Sequence, residues 1–188
     1  MSVLPIVTYD DPVLRQKSEP VAADSQVLQA LIDDMFETMY NGSGVGLAAP
    51  QIGESLRLFV MDADVMTEDT EEDDLGPLVF INPEIIVRGE DQLTIEEGCL
   101  SIPGIRDSVT RPDTITVKFL DRNFKNKELS VSGWTSRVIQ HEIDHLDGIL
   151  FIDYLGSFRK RLLKGKLNQV KAGMVEAEYP LVAKSVSA

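Results

Sequence analysis

The chain is sparing with the residues that most often carry special chemistry: 188 residues include one Cys, one Trp and two His. A single thiol excludes an internal disulfide framework, so nothing points to secretion. No apolar run approaches the roughly 20 residues that a bilayer-spanning helix needs. The opening MSVLPIVTYD also lacks the basic flank and longer apolar core of a signal peptide. The expected setting is the reducing cytoplasm of a bacterium. Basic residues are scarce as well, 18 Lys and Arg against 31 Asp and Glu, for a net charge of −13. Such acidity argues against a surface built for nucleic acid, and neither DNA nor a membrane is expected as a partner. Hydrophobic residues are present in ordinary amount, 43%, enough at this length for one domain with a sizeable core.

Periodicity supplies the outline. Residues 26–40 place Val27, Leu28, Leu31, Ile32, Met35 and Met39 on one helical stripe, with Ser25 or Asp24 as N-cap and a stop at residues 41–44. Strand-like runs follow at 56–61, 78–81, 85–87, 93–95 and 114–120, and helices are expected at 136–146 and 158–171. This order predicts an α+β fold of mostly antiparallel sheets around a central helix, closed by a C-terminal helix. Residues 1–171 are expected to form a single catalytic domain, and 172–188 a tail.

Charge marks two segments. Residues 62–74 carry eight acids (Asp62, Asp64, Glu68, Asp69, Glu71, Glu72, Asp73 and Asp74) and no base. Without EF-hand spacing they predict a solvated loop kept mobile by repulsion. The last helix is the reverse, with Arg159, Lys160, Arg161, Lys164, Lys166 and Lys171 and no acid. Its apolar stripe of Phe158, Leu162, Leu163, Leu167 and Val170 fits packing on the body, and its other face fits an RNA contact.

Both histidines lie in His141-Glu142-Ile143-Asp144-His145. Four residues along a helix rotate by only about 40°, so both imidazoles project to one side and can share a metal. Glu142 is placed to take a proton from the metal's water. A catalytic site needs a third protein ligand, yet no His follows His145. Cys99, in Glu97-Gly98-Cys99-Leu100-Ser101, is the better candidate, since a metal would itself deprotonate the thiol. Residues 44–51, Gly-Val-Gly-Leu-Ala-Ala-Pro-Gln, lack the Lys-Ser/Thr of a phosphate loop. Their small side chains suit close contact with an extended peptide, and the Gln51 amide can donate to an oxyanion. A metal-dependent endopeptidase and a non-catalytic metal module are rival readings. The first would need a downstream ligand, and the second a fourth one.

Together the three blocks resemble the peptide deformylases, which remove the formyl group from the N-terminal methionine of new bacterial chains. That family is defined by G-φ-G-φ-A-A-P-Q, E-G-C-L-S and Q-H-E-x-D-H, matched here by residues 44–51, 97–101 and 140–145. The likeness extends over about residues 4–171. It implies that Cys99, His141 and His145 hold one divalent metal, Fe(II) in the cell, replaceable in vitro by Zn, Ni or Co. It implies that Glu142 carries the proton from the attacking water to the leaving amine. It assigns oxyanion stabilisation to the Gln51 amide and the Leu100 backbone N–H. The nascent N-formylmethionyl polypeptide would lie as an added strand near Val45, Gly46 and Gly98, with the methionine side chain in an apolar pocket that includes Val138. Arg137 is expected either to border that pocket or, in preference, to face solvent, Asp144 to pin backbone or a nearby base, and the basic last helix to touch the ribosome.

Overall fold

A computed structural model of the chain describes residues 1–67, 70, 72 and 74–183. Glu68, Asp69, Glu71 and Asp73 of the acidic segment, and residues 184–188 of the tail, lie outside the described residues. In chain order the strands are β1 (Ile6–Val7), β2 (Gly46–Ala48), β3 (Leu58–Met61), β4 (Leu78–Arg88), β5 (Gln92–Gly98), β6 (Arg106–Pro112), β7 (Ile115–Leu120), β8 (Asn126–Val131) and β9 (Leu181–Val182). The α-helices are α1 (Gln26–Asn41), the short α2 (Asp64–Thr67), α3 (Gly133–Leu146) and α4 (Ser157–Lys171).

One sheet runs in the order β2-β3-β4-β7-β8, every pair antiparallel. Strand β3 shows why it is apolar at every position. Leu58 and Val60 pack with α1, whereas Phe59 and Met61 pack with α3. Alternate side chains leave opposite faces of a strand, so a helix on each face demands a continuous hydrophobic run. Ser25 accepts a hydrogen bond from the Leu28 N–H at the start of α1, which buries Leu28, Ile32, Met35 and Met39. On the other face, Phe80 lies between Phe59 and Phe119 with ring centroids 4.5 and 4.1 Å away, beneath Ile139, Ile143 and Leu146 of α3.

The β5–β6 hairpin stands apart, its Val109 packed with Phe151, Ile152, Leu163 and Val170. A parallel β1–β9 pair joins the two ends of the described chain. The α+β fold, its antiparallel sheets and its helix at the centre follow the sequence expectation. Strands β6 and β8 do not: β8 exposes Lys127 and Glu128 at the sheet edge, where charge discourages further pairing and hides the apolar pattern. The runs at 78–81 and 85–87 are one strand, bent at a register shift beside Asn82-Pro83. The stripe on α4 is only partly packed. Leu163 and Val170 are buried, while Phe158 and Leu162 are exposed. Among the described residues no helix is long and apolar enough to cross a membrane.

Candidate active site

Helix α3 begins three residues earlier than its apolar periodicity indicates, and its last two turns carry His141, Glu142 and His145 beneath the Cys99 loop. Ligand atoms of Cys99, His141 and His145 all lie within 4.8 Å of one another. Cys99 Sγ is 3.2 Å from His145 Nε2, and His141 Nδ1 is 2.8 Å from Glu97 Oε2. That second bond fixes the ring and leaves Nε2 of His141 for a cation, the usual way a carboxylate orients a ligating imidazole. One thiol and two imidazoles suit a borderline transition ion. Three protein donors also leave the open position of a catalytic site rather than the closed shell of a structural one.

Glu142 is 4% exposed, and its Oε2 is buried without a hydrogen-bond partner. Burial, reinforced by the nearby Glu97 carboxylate and opposed by His141, pushes its carboxyl up to about 7. Burial likewise lowers His145, aided by the charge of His141. Burial also opposes protonation of His141, but its bonds to Cys99 and Glu97 prevail and raise it.

A buried ion cluster supports these groups. Glu97 Oε1 accepts from Arg111 Nε at 2.6 Å and Arg137 Nη1 at 2.7 Å, and Oε2 accepts from Arg111 Nη2 at 3.0 Å. Burial alone would raise the Glu97 carboxyl; His141 and Arg111 instead hold it well below the usual carboxylate range. Of the two places open to Arg137 in the sequence, the preferred one, the surface, is therefore wrong, and Arg137 borders the cleft instead. It is 3% exposed and also donates to the Val109 and Leu93 carbonyls. A helix directed at a buried carboxylate can take a charge on its inner face, which polarity along the sequence cannot reveal. Asp144 pins a base: Arg111 Nη1 lies 2.6 Å from its Oδ2.

Gln51 is buried in the 3-10 turn Ala49–Ile52. Its Oε1 accepts the Ala48 N–H at 2.8 Å, so the amide nitrogen is the end turned toward Cys99 Sγ, 3.4 Å away. These groups border a cleft of about 730 Å³ lined by Val45, Gly46, Gly98, Cys99, Leu100, Val138, His141 and Glu142. Its walls run along β2, the edge strand of the large sheet, and the end of β5. Such an edge suits an extended peptide added as a further strand. Of the expected metal, catalytic and substrate-binding residues, only His145 stands behind the lining, buried against Cys99. Met66, Arg106 and Tyr179 border the same cleft and carry no sequence signal that marks them; Trp134, which also borders it, is marked by its rarity alone.

The acidic segment is also structured where described. Asp64 accepts the N–H groups of Leu75 and Gly76, and Glu72 accepts those of Trp134 and Thr135 at the start of α3. The sequence treated this stretch as free in solvent. Four of its acids remain outside the described residues, but these two fasten it to the body.

Comparison with known proteins gives a consistent result. The family model for polypeptide deformylase matches residues 3–161. A peptide deformylase of Salinibacter ruber is 52% identical over 186 residues, covering 97% of this chain and 95% of that protein. The crystal structure of a peptide deformylase from Ehrlichia chaffeensis in complex with actinonin aligns with TM-score 0.84 and 40% identity over 94% of this chain and all of that one. One from Legionella pneumophila aligns with TM-score 0.81 and 42% identity over 92% of this chain and 98% of that one.

Proposed function

Since this chain belongs to the polypeptide deformylase family, we propose specific roles for its residues in the family's reaction. The protein is a hydrolase that removes the formyl group from the N-terminal formylmethionine of nascent polypeptides, releasing formate. The observation that carries the assignment of roles is the meeting of Cys99, His141 and His145 beside the unpartnered Glu142 carboxylate.

Cys99, His141 and His145 would hold one divalent cation, with Fe(II) in the cell and Zn, Ni or Co as replacements. When bound, this cation supplies Lewis-acid polarisation of the formyl carbonyl and makes a water more acidic. Glu142 accepts the proton of the attacking water and passes it to the amine that leaves. A carboxyl displaced toward neutrality is matched to both halves of that transfer. As the carbonyl becomes tetrahedral, the Gln51 amide and the Leu100 backbone N–H donate to its oxygen; losing such a donor typically costs about 10²–10³ in rate. The peptide hydrogen-bonds along the backbone at Val45, Gly46 and Gly98, and the methionine side chain enters the cleft beside Val138.

Residues 1–171 are taken as the catalytic domain, in a cytoplasmic setting where nascent chains are met. The exposed bases of α4 and the bare Phe158 and Leu162 beside them favour contact with the ribosome. Replacing Arg161, Lys164 and Lys166 with Gln should weaken ribosome co-sedimentation; unchanged co-sedimentation would refute the contact.

Anaerobic purification, metal analysis and assay on formyl-Met and acetyl-Met peptides test the whole reading. Metal-dependent formate release that spares the acetyl peptide is expected. Cys99→Ala should abolish metal retention, and Cys99→Ser should reduce it. Full metal content and activity in both would remove Cys99 from the ligand set.

A further inference from the structure

Three successive carbonyls of the Cys99–Ser101 loop are held, the first by a turn of the loop itself and the other two from outside. Ile102 N–H donates to the Cys99 oxygen at 2.9 Å, and Tyr9 N–H donates to the Ser101 oxygen at 3.0 Å. The carbonyl between them, that of Leu100, accepts the phenolic O–H of Tyr179 at 2.7 Å. Two of these donors come from opposite ends of the described chain, and the ends are tied together. Strands β1 and β9 pair in parallel, with Ile6 N–H on the Pro180 oxygen at 2.8 Å and Thr8 N–H on the Val182 oxygen at 3.1 Å. Tyr179 and Leu181 pack into the α1 core, so the strap has its own anchor. Glu176, Ala177 and Tyr179 then border the substrate cleft. The residues after α4, a tail without functional signal in the sequence, thus form part of the site.

We infer that Tyr179 is a positioning residue for the reaction, and that the tail uses it to hold Leu100 so that its N–H points where the oxyanion forms. The inference rests on the role proposed above for Leu100. A backbone donor stabilises a transition state only if its direction is set beforehand. The Leu100 N–H shares its planar peptide unit with the Cys99 carbonyl, which the Ile102 N–H holds. Tyr179 holds the next unit, that of the Leu100 carbonyl, and the Leu100 side chain fills the space left by Gly42 and Gly44, so the residue between the two units cannot swing. Tyr179 touches no reacting atom, so its effect should fall on turnover rather than on substrate binding.

The test uses full-length metal-loaded enzyme and formyl-Met peptide, with Tyr179→Phe, which deletes only the hydroxyl. We expect kcat to fall roughly tenfold, less than loss of an oxyanion donor outright because the donor is loosened and not removed. KM should stay within about twofold, with metal content and Tm as in the parent protein. Parental kcat in Tyr179→Phe overturns the inference, as does a kcat loss accompanied by loss of metal or a lowered Tm. Absence of formate release from the parent protein itself would instead overturn the reading of the site on which the inference depends.

Discussion

Glu97 holds His141 by a 2.8 Å bond from Oε2 to Nδ1 while two arginines, Arg111 and Arg137, bind the same carboxylate. One side chain therefore orients a candidate metal ligand and neutralises the charge buried beneath it. Its partners come from β6 and from the helix that carries both histidines.

Glu97→Gln should weaken metal binding by about 10–100-fold, as loss of a ligand-orienting carboxylate does. It should also destabilise the fold by about 3–5 kcal/mol near pH 7, because buried Arg137 loses its carboxylate partner and Arg111 keeps only Asp144. The folded-state pKa of Glu97 is depressed. Its contribution is thus present above the unfolded carboxylate pKa and is lost as pH falls toward the folded value. The stability gap between parent and variant should narrow between about pH 5 and pH 3. Chelator competition and urea midpoints at both pH values measure this; unaltered metal affinity would contradict it.

Glu142→Gln should abolish formate release yet stabilise the metal-free protein. The carboxyl is raised to about 7 in the fold by burial, so ionising it costs folding free energy. A raised carboxylate pKa destabilises as pH climbs past the unfolded value, and the full penalty is reached above the folded one. Given a shift of that size, the gain at pH 8 should approach about 3 kcal/mol. It should vanish below pH 4, where both side chains are neutral. Thermal melts of metal-free protein at pH 4 and pH 8 would show the difference, and a variant less stable at pH 8 would refute it.

The three motif blocks made the candidate site legible because each function demanded an uncommon residue type: a thiol, two imidazoles and a Gly-Ala run. The helices and the central sheet were legible because α1 and β3 have faces with simple periodic demands. Arg137 was not, because its burial depends on a carboxylate 40 residues away in sequence. Strand β8 was missed because charges at a sheet edge mask alternation. Tyr179 could not be read at all: a hydroxyl meeting a carbonyl 79 residues away leaves no local pattern.

Gly46→Ala should inactivate the enzyme while leaving it folded. A Cβ at Gly46 would stand 2.8 Å from the Glu142 carboxyl carbon and 2.9 Å from its Cγ. Gly46 sits on β2 and Glu142 in the last two turns of α3, so the carboxylate rather than the backbone must yield. Catalytic groups displaced by about 1 Å commonly lose on the order of 10² in rate. Circular dichroism like that of the parent, metal retained and kcat reduced by that order are expected. Near-parental kcat would mean that Glu142 needs no such close approach.

Glu72 bears on the catalytic helix from the far side of the sequence. Ser132, the N-cap of α3, makes no side-chain cap bond, and the first N–H groups of a helix otherwise lack acceptors. Glu72 supplies them, its Oε1 2.9 Å from Trp134 N and its Oε2 3.0 Å from Thr135 N. A carboxylate at this end also complements the helix dipole. Gly133 permits the approach: its φ is +57°, and a Cβ there would lie 2.8 Å from the Glu72 carboxyl carbon. Glu72→Ala should cost about 0.5–2 kcal/mol, the usual range for a lost cap. That corresponds to a Tm lowered by several degrees, at about 2–4 °C per kcal/mol for a chain of this size. Trp134 and Met66 both border the cleft, so KM for formyl-Met peptide should rise while metal content stays constant. Glu72→Gln keeps an acceptor and should fall between the two proteins; equal Tm and KM in all three would show that the cap carries no weight.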